Sequence, residues 1–183
     1  MVKRPTTYDV SIANVIRAAR GDEMEKLREL ERAAGSVFRE VGMDAIADDE
    51  PPSTAALAVF QAAGRAWVAA DEADEPVAYL VVAVVDDSAH IEQVSVHPRA
   101  ARQGLGRALI ETAASWARQH GLNALTLTTY RDVPWNRPYY ERLGFQVVAN
   151  AHVTSGLRRL RAQEAAAGLD RWPRVVMKRH LEH

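Results

Sequence analysis

The stretch from His90 to Thr129 constrains the fold more than any other part of the chain. An apolar strand, His90–Val96, runs through Pro98 into a loop that holds Gly104 and Gly106. A helix follows over Gly104–His120, with Leu105, Leu109, Ala113 and Trp116 on one face and Gly121 as its C-cap. A second strand occupies Ala124–Thr129. Strand, loop, helix, strand is a βαβ unit, so the two strands run parallel in one sheet.

What precedes this unit has a different grammar. Ala66–Ala70, Val77–Val85 and His90–Val96 are β-type runs joined by polar turns at Asp71–Pro76 and Asp86–Ser88. Short turns between such runs predict an antiparallel meander. Joining the meander to the βαβ unit gives an α+β fold with a mixed, mostly antiparallel sheet. The spacing predicts a helix over Asp22–Val41, with Asp22 as cap and Glu25 in capping-box position. A second helix, Thr54–Ala63, ends at Gly64, and the acidic, Pro-Pro segment Asp44–Ser53 between them reads as a loop. Downstream lie a short helix at Pro138–Leu143 stopped by Gly144, a strand at Phe145–Ala149, an Arg- and Ala-rich helix at Leu157–Gly168 and a last strand at Arg174–Lys178. Val10–Ile12 reads as a short first strand. With 183 residues and neither repeat nor linker, residues 1–183 are expected to form a single domain. Leu181-Glu182-His183 matches the start of a vector-encoded tag and is set aside.

The glycine loop suits an anion. Without a Cβ, Gly104 and Gly106 let backbone N–H groups approach a ligand closely. Those groups open a helix, whose dipole favours negative charge, and Arg102 and Arg107 add to it. The loop is nevertheless not of a standard nucleotide type. A Rossmann loop needs a third glycine where Leu109 stands and an acidic residue about 20 positions on. A P-loop ends in Gly-Lys-Ser/Thr, and here the end is Gly106-Arg107-Ala108.

Composition removes several classes. A net charge of −1 with dispersed basic residues argues against a nucleic-acid partner. The chain has no cysteine, which excludes disulfides, thiolate metal sites and a cysteine nucleophile and suits a reducing, cytoplasmic setting. His90, His97, His120 and His152 show no metal-ligand spacing, so no metal is expected. Apolar runs fall far short of the roughly 20 residues of a membrane span, and Met1–Thr7 lacks the apolar core of a signal peptide, so no membrane partner is expected.

The segment Ile91–Ile110 resembles motif A of the GNAT superfamily of N-acetyltransferases, and Tyr140-Glu141-Arg142-Leu143-Gly144-Phe145 resembles that family's motif B. Order, spacing and the intervening strand agree over Val77–Val148. The resemblance implies a sheet splayed open between His90–Val96 and Ala124–Thr129, with helices on both faces and acetyl-CoA in the splay. The backbone of Val94, Ser95 and Val96 would pair with pantetheine, and Arg102, Gln103, Gly104, Leu105, Gly106 and Arg107 would hold the pyrophosphate. Two positions depart from the family pattern. Ala101 stands where the family has Gln or Arg, with Arg102 displaced by one, and Val133 stands where it often has a pantetheine-binding Asn. Asn136 either takes over that contact or caps the following helix.

The same resemblance places Tyr140 near the CoA sulfur. A phenol, with an ordinary pKa of about 10, can protonate a departing thiolate. Tyr139, its neighbour, reads as packing. Glu92 is the candidate base: alternation sets it on the face opposite Ile91, and some family members carry a carboxylate there. It reads equally well as a solvent-facing or salt-bridged residue. Tyr130, Asp132 and Trp135 follow the parallel strand's C-terminal end, where open sheets place ligands, and are the candidate acceptor contacts. The acidic residues Asp44, Asp48, Asp49 and Glu50 would flank the acceptor entrance. The three arginines of Leu157–Arg161 read as a helix coat.

The expected function is transfer of an acetyl group from acetyl-CoA to a primary amine of a small molecule. A protein N-terminal or lysine acetyltransferase and a non-catalytic CoA-binding regulatory module stay open as alternatives. A homodimer is consistent with the family's habit.

Overall fold

The computed structural model describes residues 14–182. The expected strand at Val10–Ile12 lies outside them. Seven strands form one sheet: β1 (Val15–Ala18), β2 (Ala66–Ala70), β3 (Pro76–Val85), β4 (Ser88–Val96), β5 (Ala124–Tyr130), β6 (Gln146–Val147) and β7 (Arg174–His180). Their order is β1-β2-β3-β4-β5-β7-β6, and every pairing is antiparallel except β4 with β5. Meander and crossover are as the sequence predicts.

Six α-helices surround the sheet: α1 (Met24–Gly35), α2 (Asp44–Ala47), α3 (Thr54–Ala62), α4 (Leu105–Gln119), α5 (Arg137–Arg142) and α6 (Ser155–Ala166). Alternation along the strands sorts the core into two layers. Leu80, Val82, Ala89, Ile91, Leu125 and Leu127 pack under Leu109, Ile110 and Ala113 of α4. Val68, Tyr79 and Val81 face the other way, onto Leu27 and Leu30 of α1 and Leu57 of α3.

Some local expectations needed correction. The helix expected over Asp22–Val41 is α1 flanked by 3₁₀ turns at Gly21–Glu23 and Ser36–Val41. Its entry is fixed by Glu23, whose carboxylate accepts from Arg20 N–H at 2.7 Å, and not by Asp22. Glu25 is drawn instead to Arg28, one turn on, at 2.9 Å. The expected loop Asp44–Ser53 begins with the helical turn α2. Strand β6 is two residues long, because Val148 N–H donates to Val176 O beyond it and the chain then turns at Asn150–His152. Leu181 is 7% exposed, joins the core and donates its N–H to Asn123 O, so it contributes to the fold.

The sheet is splayed, and the register shows why. Val81 of β3 faces Gln93 while Val82 faces Ile91, which leaves Glu92 as a β-bulge in β4. Parallel pairing with β5 runs from Ser88↔Ala124 to Ile91↔Leu127 and stops there. Beyond it β4 keeps only β3, and β5 keeps only β7. A bulge bends its strand and increases local twist, so β4 turns away from β5 at the residue where pairing ends.

Helix α6 closes the polar face of β5 and β7. Thr154 Oγ1 accepts from Leu157 N–H, and the Asp86 carboxylate, in the β3–β4 turn, accepts from Gly156 N–H at 3.1 Å. A Cβ on Gly156 would lie 2.6 Å from that carboxylate. Gly156→Ala therefore displaces the Asp86 cap, and urea unfolding should show a loss of about 1–2 kcal/mol, the range of a lost N-terminal cap. Asp86→Ala should cost a similar amount. In an Asp86→Ala background, Gly156→Ala should be neutral or stabilising, since alanine is then the better helix former.

Candidate functional site

The splay opens into a cleft of about 630 Å³ that runs from the glycine loop to the 3₁₀ turn after α1. Its inner wall is the bulged end of β4, with Glu92, Gln93, Val94, Ser95 and Val96 all on the lining. The edge of β4 toward β5 is unpaired there, which leaves a row of backbone donors and acceptors available to an extended ligand. Ser95 is buried and accepts from Gln93 Nε2 at 2.8 Å, so its side chain stiffens this wall.

At one end the chain passes through Arg102 (φ 63°) and Gly104 (φ 75°), both left-handed, before α4 begins. Among the described residues, the N–H groups of Arg102 to Arg107 donate to no acceptor. Space at Gly104 is open: an added Cβ would meet nothing within 4 Å. At the second glycine the missing Cβ also makes room for a neighbouring side chain. A Cβ on Gly106 would lie 2.8 Å from Tyr139 Oη, so the room it leaves is taken by that phenol. Tyr139, expected to be packing alone, thus lies on the cleft lining beside the loop.

Side chains of the loop divide by direction. Arg102 and Leu105 line the cleft, but Leu105 is a core anchor at 6% exposure and offers only its backbone. Gln103 accepts from Asn14 Nδ2 at 3.0 Å, and Arg107 is exposed outside the lining. Their N–H groups still belong to the helix opening. Asn136 stands at the N-cap of α5, yet its side chain makes no capping bond and lines the cleft.

Tyr140 projects from α5 against Phe145, with ring centroids 5.8 Å apart, and against Tyr139 at 5.3 Å. Burial pushes its phenol well above the ordinary value, with a smaller push from Tyr139, so it holds its proton across the physiological range. Glu92 reaches solvent through the cleft mouth although protein surrounds it on most sides. Burial, and then the neighbouring Glu164 charge, raise its carboxyl above the ordinary 4.5. Among the described residues Glu92 has no ion pair or hydrogen bond. The salt-bridged alternative is therefore not what the structure contains, whereas the exposure of Glu92 within the cleft agrees with the solvent-facing one.

The far end of the cleft holds residues that sequence reasoning missed. Thr128 Oγ1 donates to Glu164 at 2.5 Å, and Arg174 donates to Thr128 at 3.0 Å and to Glu164 at 3.2 Å. Arg161 grips the other Glu164 oxygen at 2.5 Å and reaches on to Asp170. The Arg174 guanidinium lies 4.5 Å over the Tyr130 ring, a cation–π contact that fixes this wall. Arg161 is thus part of a cross-element network, not a coat, while Arg158 holds the carbonyls of Val153 and Asn150. The pairing Tyr130↔Arg174 across β5 and β7 is the signal that would have found this network, and it needs the register. His90, two residues before Glu92, is buried with Nδ1 2.9 Å from Thr126 Oγ1, and burial lowers it to about 4, so it is neutral.

The acceptor candidates separate. Tyr130 and Trp135 line the cleft. Asp132 does not: its carboxylate is taken by Arg131 at 2.8 Å on the exposed side of the loop, which removes it from the candidate contacts. The acidic segment is mostly neutralised too. Asp48 and Asp44 face Arg39, and Glu50 bridges Arg28 and Arg32, which leaves Asp49 on the cleft rim. Among the described residues no group of three or more His, Asp or Glu is placed to hold a metal, and no helix is long and apolar enough to cross a membrane.

The family model described as Acetyltransferase (GNAT) family matches residues 22–145. Solved structures agree with the architecture. The ribosomal-protein-S18-alanine N-acetyltransferase from Escherichia coli is similar at 20% identity and a TM-score of 0.65, over 93% of this chain and 96% of that one. A paia N-acetyltransferase from Thermoplasma acidophilum, in complex with coenzyme A, aligns at 14% identity and a TM-score of 0.68, over 92% and 99%. A phosphinothricin acetyltransferase from Sinorhizobium meliloti, in complex with AcCoA, aligns at 19% and 0.64, over 92% and 88%. At these identities the structures attest the fold, and the family match over more than half of the chain carries the assignment: this chain belongs to the GNAT acetyltransferase family and is an acetyl-CoA-dependent N-acyltransferase.

Proposed function

We propose that the protein acetylates the primary amine of a small molecule by direct transfer, with Glu92 as base and Tyr140 as acid. The observation that carries this reading is the unpartnered Glu92 carboxyl at the bulge, inside the cleft that the glycine loop and Tyr140 also line. A cleft of about 630 Å³ suits small ligands better than a folded protein surface.

The residues fit acetyl-CoA. Unpaired N–H groups from Gln103 to Arg107 and the open space at Gly104 suit its pyrophosphate, and Arg102 adds charge at the same mouth. The free edge of β4 at Val94 and Val96 suits the amides of its pantetheine, with the Asn136 side chain facing them across the cleft. Bound acetyl-CoA supplies the acyl group as a thioester, whose carbonyl carbon forms the new C–N bond as the C–S bond breaks. Glu92 takes the proton from the amine. Its raised pKa makes it a stronger base than an ordinary carboxylate. Tyr140 gives its phenolic proton to the departing sulfur, and burial ensures that the proton is present. The products are the N-acetyl amine and free CoA.

Three outcomes follow from these roles. Tyr140→Phe keeps the ring packing on Phe145 and should lower kcat about 10²-fold with little change in acetyl-CoA affinity, read by thiol release and calorimetry. Glu92→Gln should lower kcat/KM by about 10² and flatten the acidic limb of its pH profile. In the native enzyme that limb should lie above 4.5, since the folded-state pKa is raised. The sign of the linked stability effect is opposite to that of a salt-bridged acid. A raised carboxyl contributes stability while protonated and loses it as pH rises through its folded pKa. Glu92→Gln should therefore keep or raise Tm at pH 7 while activity falls. For the cofactor loop, Gly104→Trp should abolish acetyl-CoA binding, while Arg102→Ala should weaken it less than about tenfold, because the backbone N–H groups remain. Turnover of acetyl-CoA across amines, amino acids, polyamines and peptides tests the reading as a whole; exclusive turnover of peptides would sink it.

A further inference from the structure

The acceptor end of the cleft combines two features that narrow the class of amine. The first is its charge balance. Arg32 is engaged by Glu50 at 3.0 Å, and Arg174 by Glu164, Thr128 and the Tyr130 ring. Glu31 accepts from the Tyr79 hydroxyl, and Glu164 is held by Arg161, Arg174 and Thr128. What remains at this end without an ion pair or a side-chain hydrogen bond among the described residues is negative: Glu92 at the bulge and Asp49 on the rim. Each cation of this end already has a carboxylate partner, although Arg174 bonds only through Nη2 and its buried Nε has no partner.

The second feature is an aromatic wall. Phe38, from the 3₁₀ turn after α1, sits edge-on to Tyr130 with centroids 5.7 Å apart and tilted against Trp135 at 6.1 Å. Ile46 of α2 joins them, and buried Met43 and Val133 back the group. Phe38, Ile46 and Trp135 are half-buried and line the cleft, so part of this apolar surface stays open to a ligand. Ring arrangements of this kind receive another ring with favourable edge and face contacts.

We propose that the acceptor is an arylalkylamine without a carboxylate, its ammonium group drawn to Glu92 and its ring against Phe38, Ile46 and Trp135. The proposal rests on the reading of this cleft as the site of amine acetylation. Glu92 favours the cation electrostatically and then takes its proton, and the wall takes the apolar body. A carboxylate beside the amine would lie among Glu92 and Glu164, and the charge of Arg174 is already balanced by Glu164. The second ammonium of a diamine would have to lie on the apolar wall or reach the solvent-screened Asp49.

The test compares 2-phenylethylamine with ethylamine, putrescine, phenylalanine and a short peptide, read by thiol release from acetyl-CoA. Burying a phenyl ring should raise kcat/KM for 2-phenylethylamine roughly tenfold or more over ethylamine. It should exceed phenylalanine and putrescine by a similar factor. Trp135→Ala and Phe38→Leu should each shrink the phenylethylamine-to-ethylamine ratio severalfold, through KM more than kcat. Equal or better turnover of putrescine, phenylalanine or the peptide would overturn the proposal, as would a ratio unchanged in both variants. Calorimetry of 2-phenylethylamine with the CoA-saturated protein separates the two levels of the argument. Binding that Trp135→Ala weakens, with no thiol release from any amine, would sink the catalytic reading and keep the aromatic slot. Turnover of other amines with no phenylethylamine binding would do the reverse.

Discussion

The residue that β3 does not pair is the constraint on which the rest of this structure depends. Eight of the nine residues of β4 have a partner in β3, and Glu92 is the one that does not. In a continuous sheet the ends of β4 and β5 would bond to each other, and no cleft would exist between them. The bulge bends β4 where its bonds to β5 stop, so an unpaired edge faces an open wedge. An unpaired edge is ordinarily a liability. Here it faces a narrow space walled by α5, the glycine loop and the turn after α1, which favours an extended amide-bearing ligand over another chain. The same distortion places Glu92, a polar residue with no partner, where it can meet an amine.

The fold was largely legible in the sequence because its signals are local and strong. Alternating β-runs at Ala66–Ala70 and Val77–Val85, Gly121 and Gly144 as helix stops, and the loop between His97 and Leu105 each report on their own neighbourhood. Short elements were less legible. Helix α2 has four residues and β6 two, too few for periodicity to register, and both are decided by contacts with other elements. Gly104 is accounted for by its own left-handed φ, a local property. Gly106 also answers to Tyr139, 33 residues on in sequence, whose hydroxyl lies 2.8 Å from where a Cβ would stand, and no local signal reveals that contact. The Glu164–Arg174–Thr128 network was missed for the same reason. Its members come from α6, β7 and β5, and only the pairing of β5 with β7 brings them together.

The two ends of the cleft solve opposite electrostatic problems by different means. At the loop, attraction for an anion comes from main-chain N–H groups and the opening of α4, which cost no side-chain ordering and are little affected by pH. At the proposed acceptor end most charges cancel in pairs, which leaves Glu92 and, on the rim, Asp49 unpaired among the described residues. Cancelling matters because an ion pair fixed by three partners, as Glu164 is, contributes rigidity without adding net field. If Arg174 and Arg161 were not engaged, their charges would draw Glu92 down toward an ordinary carboxylate and weaken it as a base.

That consideration also explains why the proposed base, Glu92, lies on a strand and not on one of the surface loops. A carboxyl is raised only where protein displaces water around it, and a loop residue such as Asp132 or Asp48 is instead lowered by the nearest arginine. Strand β4 is held by β3 on both flanks of the bulge, at Ile91 and at Gln93, which fixes the backbone of Glu92 between them. Glu164, fixed by Thr128, Arg161 and Arg174, keeps its own charge near enough to add to the shift. The fold thus carries a local destabilisation at Glu92 and offsets it in the core beneath: Ile91, adjacent in sequence, is 4% exposed and points into the α4 layer. Alternation along one strand separates the two tasks, with burial of Ile91 securing the backbone that holds its reactive neighbour in the cleft.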